Sequence, residues 1–490
     1  MSKPNIVVLL LDAARADHVS TYGYERDTTP FIDHLAADGT KYDMTYANSI
    51  WSLPSYASIF TGEYPTNHGA NDWNKSVDNN SLIEGLQERG YETAAVSTHL
   101  ITGEFGLANA FDQHNTVALT PDDRLFADDP VGQQLAEHGT AEGWSSEREK
   151  YAVFLKLLLN NPSGKSLLNG AYALYNKLKR KAGIWGDDGG QQVVDQCRTV
   201  IDTIEEPFFL FGNFVETHDP YRPPRAVRDK FLPSDASLSE VREAVKYSSV
   251  RASLGLEKMS DRRREILCGL YDAEIAYVDG LVKEIYKAIE QRGIADNTVV
   301  VVLSDHGDFF GEHGLWGHQG GIYDPVSRVP LIVTSPWETG EPESGPYELR
   351  GLHDYLLDVA DGNRGTMPSP REALVEYYGL DTQLSFIPWE KYDGIDPDRW
   401  GTYECSYTDG EYQLVWRADG TVELFESNDM SQQDVATDNP DVVTELQSRV
   451  VDLVGEPSSN HSAYRSRQRT DGLNVSDDVH DRLEQLGYTE

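Results

Sequence analysis

The chain has 490 residues, with 81 acidic side chains against 42 basic ones and a formal net charge of −39. That length accommodates one large α/β domain and a smaller one, and that charge excludes a sequence-neutral nucleic-acid binder, which needs a basic surface. The acids are scattered rather than gathered in a tail, so they read as a surface kept hydrated in very high salt, as in a halophile.

Cys197, Cys268 and Cys405 are far apart and give neither a disulfide framework nor a Cys-x-x-Cys metal knuckle. Met1-Ser2-Lys3-Pro4-Asn5 runs straight into a strand pattern without signal-peptide anatomy, and no apolar run is long enough to span a bilayer. A cytoplasmic protein with no membrane partner is expected.

In chain order, Ile6 to Leu11 is apolar throughout, the pattern of a strand buried on both faces, and it ends at Asp12. Thr29 to Gly39 reads as a short helix with Pro30 at its first position. Ser52-Leu53-Pro54-Ser55-Tyr56 opens another helix, and a hydroxyl there is either a cap or a nucleophile facing an anion. A helix from Leu82 to Gly90 leads to the strand Thr93–Val96 and then to His99. Residues 117–200 read as an insertion or lid, and its basic run Lys177 to Gly183 reads as a solvated helix face. Val193 to Ile204 is an amphipathic helix. Phe208 to Val215 is a buried strand delivering Glu216-Thr217-His218. From Arg264 to Arg292 apolar residues recur every three or four positions, a core-facing helix.

Thr298 to Leu303 is a further buried strand, with four valines, ending in Ser304-Asp305-His306-Gly307. Ligands of open α/β sheets bind beyond the carboxyl ends of the strands. Asp12 and Asp305-His306, planted at two such ends, can therefore share one cation. Glu312 to His318, the strand Pro330–Thr334 and a helix near Leu352 complete a large domain, residues 1–365. Short strands around 373–378, 402–407, 412–417 and 421–425, with an Asp419-Gly420 turn, and a helix over 441–454 make a small antiparallel subdomain, residues 366–455. Residues 456–490 are a polar, linker-like stretch and a terminal helix starting at Ser476.

Taken in order, Asp12, Ala16-Asp17-His18, the Ser52-x-Pro54-Ser55-x-x-Ser58-x-x-Thr61-Gly62 segment, His218-Asp219-Pro220 and Ser304-Asp305-His306-Gly307 resemble the sulfatase family of the alkaline phosphatase-like superfamily. Arg328-Val329-Pro330 also fits, and the matches cover most of the chain. The resemblance implies a large, mixed, mostly parallel sheet flanked by helices, with a small C-terminal antiparallel subdomain. It implies one divalent cation (Ca, Mg, Mn or Zn) held by Asp12, Asp305, His306 and Ser52. It makes Ser52 the nucleophile or the precursor of formylglycine, whose hydrated form attacks sulfur. It gives His218 and His318 to the leaving group, and Arg15 and His99 to the anionic oxygens of a small ester.

Two departures matter. The family carries Arg four residues after the nucleophile, where this chain has Tyr56, and often a second Asp after the first, where it has Ala13. His306 in place of the family's frequent Asn shifts the ligand set from calcium towards Mn, Zn or Mg. Three readings stand: a sulfuric ester hydrolase, a phosphoester or phosphonate hydrolase using unmodified Ser52, and a non-catalytic binding protein of the same shape.

Overall fold

In the computed structural model the described residues are 3–72, 77, 80–98, 106–117, 131, 134–135, 147–160, 163–181, 185–187, 189–337, 343–365, 367, 371–380, 395–427 and 433–468. Strands β1 (Asn5–Leu11), β2 (Thr40–Tyr46), β3 (Glu92–Ser97), β4 (Gln113–Thr116), β5 (Phe208–Phe214) and β6 (Thr298–Leu303) lie in the large sheet. β7 (Phe309–Phe310) and β8 (Trp316–Gly317) form a separate ribbon. β9 (Arg328–Val329), β10 (Leu331–Thr334) and β11 (Glu343–Glu348) return to the large sheet, whose order is β11-β2-β10-β6-β1-β5-β3-β4, with β9 on β2.

Strands β6, β1, β5, β3 and β4 are parallel, while β10 runs against both β6 and β2. Their apolar runs alternate between two cores, as strands covered on both faces require. Ile6, Val8 and Leu10 pack on one side with the helices Ser52–Thr61, Ser81–Glu88 and Gly351–Ala360. Val7, Leu9 and Leu11 pack on the other with Pro30–Asp38, Gly190–Thr203 and the long helix Asp261–Arg292.

Register fixes where the site falls. Leu11 of β1 lies opposite Phe214 of β5, and Leu10 opposite Leu303 of β6. Three parallel strands therefore stop at one level, so the residues that follow each of them meet.

The second sheet is β12 (Ala373–Tyr377), β13 (Glu404–Thr408), β14 (Tyr412–Arg417) and β15 (Val422–Glu426), antiparallel throughout. Its Leu374, Cys405, Leu414 and Leu424 pack with Leu446 and Val450 of the helix Pro440–Val454, while Ala373, Val375 and Tyr377 turn towards the large domain. Residues 457–468, within the stretch expected to be linker-like, form a helix, Pro457–Gln468. Its composition is polar, so no periodicity announces it. Tyr464 holds it down, edge-on to Tyr378 and hydrogen-bonded to Asp72 at 3.2 Å. The terminal helix expected from Ser476 lies outside the described residues. The three cysteines are free thiols.

Candidate active site

Asp12 sits one residue past β1, wholly buried, its N–H bonded to Phe214 O at 2.9 Å. The chain then turns sharply through Ala13, whose φ of 60° is left-handed and uncommon for a residue with a Cβ. That turn lets Ala13 N–H reach Asp305 Oδ1 at 3.2 Å and Ala14 N–H reach Ser304 Oγ at 2.8 Å. Two strand ends are thereby stitched side by side.

Ser52 is the first residue of its helix. Trp51 takes the cap position, so the hydroxyl is not engaged in capping. Pro54 falls in the first turn, where its missing N–H has no intrahelical partner to lose. Ser55 Oγ donates to Asp305 O at 2.7 Å and pins the helix start over the end of β6. Ser52 Oγ then lies 3.2 Å from His306 Nε2.

His306 Nδ1 lies 3.0 Å from Gly307 O. A carbonyl only accepts, so the ring proton is on Nδ1 and the Nε2 lone pair faces the cluster. Nε2 is 3.7 Å from Asp12 Oδ1 and 3.6 Å from Asp305 Oδ2. Asp12, Ser52, Asp305 and His306 are each at most 2% exposed. Burial pushes the Asp12 carboxyl well up, and the neighbouring Asp305, Asp308 and Glu216 add to the shift.

Crowded, buried carboxylates of this kind are relieved by a proton or by a cation placed between them. Among the described residues Asp305 Oδ2 accepts no hydrogen bond. Ligand atoms of Asp12, Asp305 and His306 all lie within 4.8 Å of one another. The donor set, two carboxylates, an imidazole and a hydroxyl, fits a divalent metal. A second trio, His306, Asp308 and His318, meets the same distance criterion. It fits less well, because Asp308 Oδ1 and His318 Nδ1 already bond each other at 2.8 Å.

The structure brings His218 and His318 beside His306. Ring centroids are 4.5 Å apart for His306–His318, 4.9 Å for His218–His318 and 6.4 Å for His218–His306. Burial lowers His218 to about 3, with His318 and His306 contributing, and burial also lowers His318.

Arg15 is engaged elsewhere. It is 3% exposed, forms a two-pronged pair with Asp17 at 2.8 and 2.7 Å, and reaches Glu312 at 3.0 Å and Asp308 O at 2.9 Å. In this arrangement it braces the turn after β1 against the loop after β6. His99 lies outside the described residues. Tyr56, where the family carries Arg, is buried with its ring edge-on to Phe211 at 5.9 Å.

Sequence reasoning missed Asp308 and Tyr221. Asp308 is fully buried between the His318 ring and the Tyr221 hydroxyl, which donates to Oδ2. The His306-Gly307-Asp308 spacing was visible, but the direction of the side chain was not.

A hydroxyl, two carboxylates and converging imidazoles at the carboxyl ends of a mostly parallel sheet define a hydrolase of the alkaline phosphatase-like kind. The sequence model of the sulfatase family matches residues 4–361, and the chain belongs to that family of sulfuric ester hydrolases. An arylsulfatase of Clostridium perfringens is 24% identical over 376 residues, 73% of this chain and 75% of that protein. Among solved structures, a 2-O GAG sulfatase superposes with a TM-score of 0.62 at 15% identity, covering 98% of this chain and 96% of the other. The phosphonate monoester hydrolase of Agrobacterium radiobacter gives 0.62 at 17% identity, covering 92% and 95%.

Proposed function

We propose that this chain hydrolyses sulfuric esters of a sugar or a small aryl alcohol, with Asp12, Asp305 and His306 holding one divalent cation and Ser52 supplying the attacking oxygen. The observation that carries this reading is the approach of Ser52 Oγ to 3.2 Å from His306 Nε2, beside two buried carboxylates. A bound cation would acidify the attacking hydroxyl and neutralise an ester oxygen. The chain's own groups do the rest. Ser55 and the helix start hold Ser52 in place. The His306 tautomer, set by Gly307 O, keeps Nε2 facing Ser52. His318 and His218 serve the leaving oxygen. Burial keeps both rings neutral, and an anionic ester beside them favours the imidazolium form that can donate a proton.

Tyr56 supports a second reading, cleavage of a phosphoester or phosphonate by unmodified Ser52, because the family's Arg is absent at that position. The test is a panel of sulfate, phosphate and phosphonate esters assayed with Mg, Mn, Zn and Ca in molar KCl, beside the mass of the Ser52 peptide. Sulfate turnover with a peptide lighter by two hydrogens, the formylglycine signature, supports the first reading. Phosphonate turnover with unaltered Ser52 supports the second. Metal-independent inertness towards every ester, unchanged by Ser52→Ala, sinks both.

A further inference from the structure

The insertion after the edge strand β4 holds two helices, Glu147–Asn160 and Gly164–Lys181. They pack on each other closely: a Cβ on Gly170 would lie 2.6 Å from the Phe154 ring. The distribution of their side chains is inverted. Ser166 and Asn169 are buried, at 0% and 3% exposure, while Leu159 is 80% exposed and Leu167 58%. Leu155, Leu168, Leu174 and Leu178 are exposed as well. Among the described residues, the large apolar side chains facing outward lie in this pair of helices, apart from Leu238, Leu256 and Val451. Leu167, Ala171, Leu174 and Leu178 follow helical spacing, so they form one face.

Charge is inverted too. In a chain of net charge −39, the segment from Lys150 to Lys181 contains no acid at all. Its charged residues are Lys150, Lys156, Lys165 and the cluster Lys177, Lys179, Arg180 and Lys181. Lys156 and Lys165 are exposed beside the leucines. Lys179 lies 5.5 Å from the Tyr175 ring, and Tyr175 is itself exposed.

We infer that this helical hairpin docks flat on the surface of an anionic lipid bilayer, its leucines in the acyl boundary and its lysines at the headgroups. No helix among the described residues is long and apolar enough to cross a membrane, so the contact is with the surface. The expectation of no membrane partner rested on the lack of a spanning segment, which a surface contact does not need. Other occupants fit less well. Pairing this face with the same face of a second copy brings lysine against lysine. Nucleic acid would engage the cations but gives outward leucines nothing to bury against, since bases stack on aromatic rings. The acidic remainder of the molecule is repelled by the same bilayer at low salt. At about 1 M salt the Debye length shrinks to about 3 Å, so that repulsion fades while groups in contact still pair.

The test uses the full chain and phosphatidylglycerol vesicles, phosphatidylcholine vesicles or a short oligonucleotide, in about 1 M KCl. The wild type is expected to co-sediment with phosphatidylglycerol about fivefold more than with phosphatidylcholine. The variant with Leu155→Ser, Leu159→Ser, Leu168→Ser and Leu174→Ser should lose that binding while keeping its melting temperature, which shows that it folds. Absence of co-sedimentation overturns the inference, as does equal binding by the variant. Concentration-dependent self-association abolished by the variant, or oligonucleotide binding, in either case without vesicle binding, also overturns it.

Discussion

At the residue scale the site is a set of directions imposed on ordinary side chains. Asp308 is the clearest case. It touches no substrate in our reading, but its bond to His318 Nδ1 fixes the tautomer and its Tyr221 partner fixes the carboxylate. It is a positioning residue. Asp308→Asn should lower kcat about 10- to 100-fold on esters with poor leaving groups, with much smaller loss on activated aryl esters. KM should change little. A uniform loss across leaving groups would mean that Asp308 supports the fold alone. Placing Lys at position 318 supplies a donor with no tautomer to set, so Asp308→Asn should cost little further in that background. Asp12, Asp305, His306 and Ser52 stand out in the sequence as candidates because each follows an unmistakable strand or opens a helix. The arrangement of Arg15 was not, since its partners Asp17, Glu312 and Asp308 O come from separate turns.

At the element scale, local rules decide most boundaries and distant residues decide the rest. The helix Pro30–Asp38 shows both. Pro30 sits in the first turn as its sequence indicates, but Thr29 gives no side-chain cap. Asp279, far along the chain, accepts the N–H groups of Phe31 and Ile32 instead. The nucleophile's helix has a similar tie at its other end, where Ser58 Oγ meets His68 Nε2 at 3.1 Å. His68 Nδ1 accepts from Ala70 N–H at 3.1 Å, so the ring is neutral, and burial lowers its pKa to about 3. The folded value lies below the unfolded one, so the stability it contributes is present above about pH 6.5 and is lost as pH falls towards about 3. Melting curves should show the wild type losing stability over that window, with a shallower loss in His68→Gln. Just past β12, Gly379 has a φ of +92° and its Cβ position lies 2.5 Å from the Gly401 backbone. Gly379→Ala should destabilise by about 1–3 kcal/mol, read as a lowered denaturant midpoint.

At the scale of the whole molecule, charge dominates. A net −39 on one chain is self-repulsion that only salt relieves. The melting temperature should rise steadily from about 0.1 M to molar KCl as the Debye length falls from about 10 to about 3 Å. A flat or falling curve would remove the halophilic reading. The hairpin at 147–181 is the exception to this acidity, and it marks the limit of sequence reading. Its basic run was visible, and it read as a solvated helix face.

The sequence by itself determined the sheet-and-helix architecture and put forward Asp12, Ser52, Asp305 and His306 as candidates for the site. Apolar runs covered on both faces and the acids that end them are properties of neighbouring residues, which local chemistry specifies. Only the tertiary structure decided which side chains in the turns meet, with Asp308 against His318, Arg15 across to Glu312, and leucines facing outward over a buried Ser166 and Asn169. The Arg15 contact joins residues distant in sequence, and the other two depend on which way side chains face once their elements are packed, which no local preference of the backbone encodes.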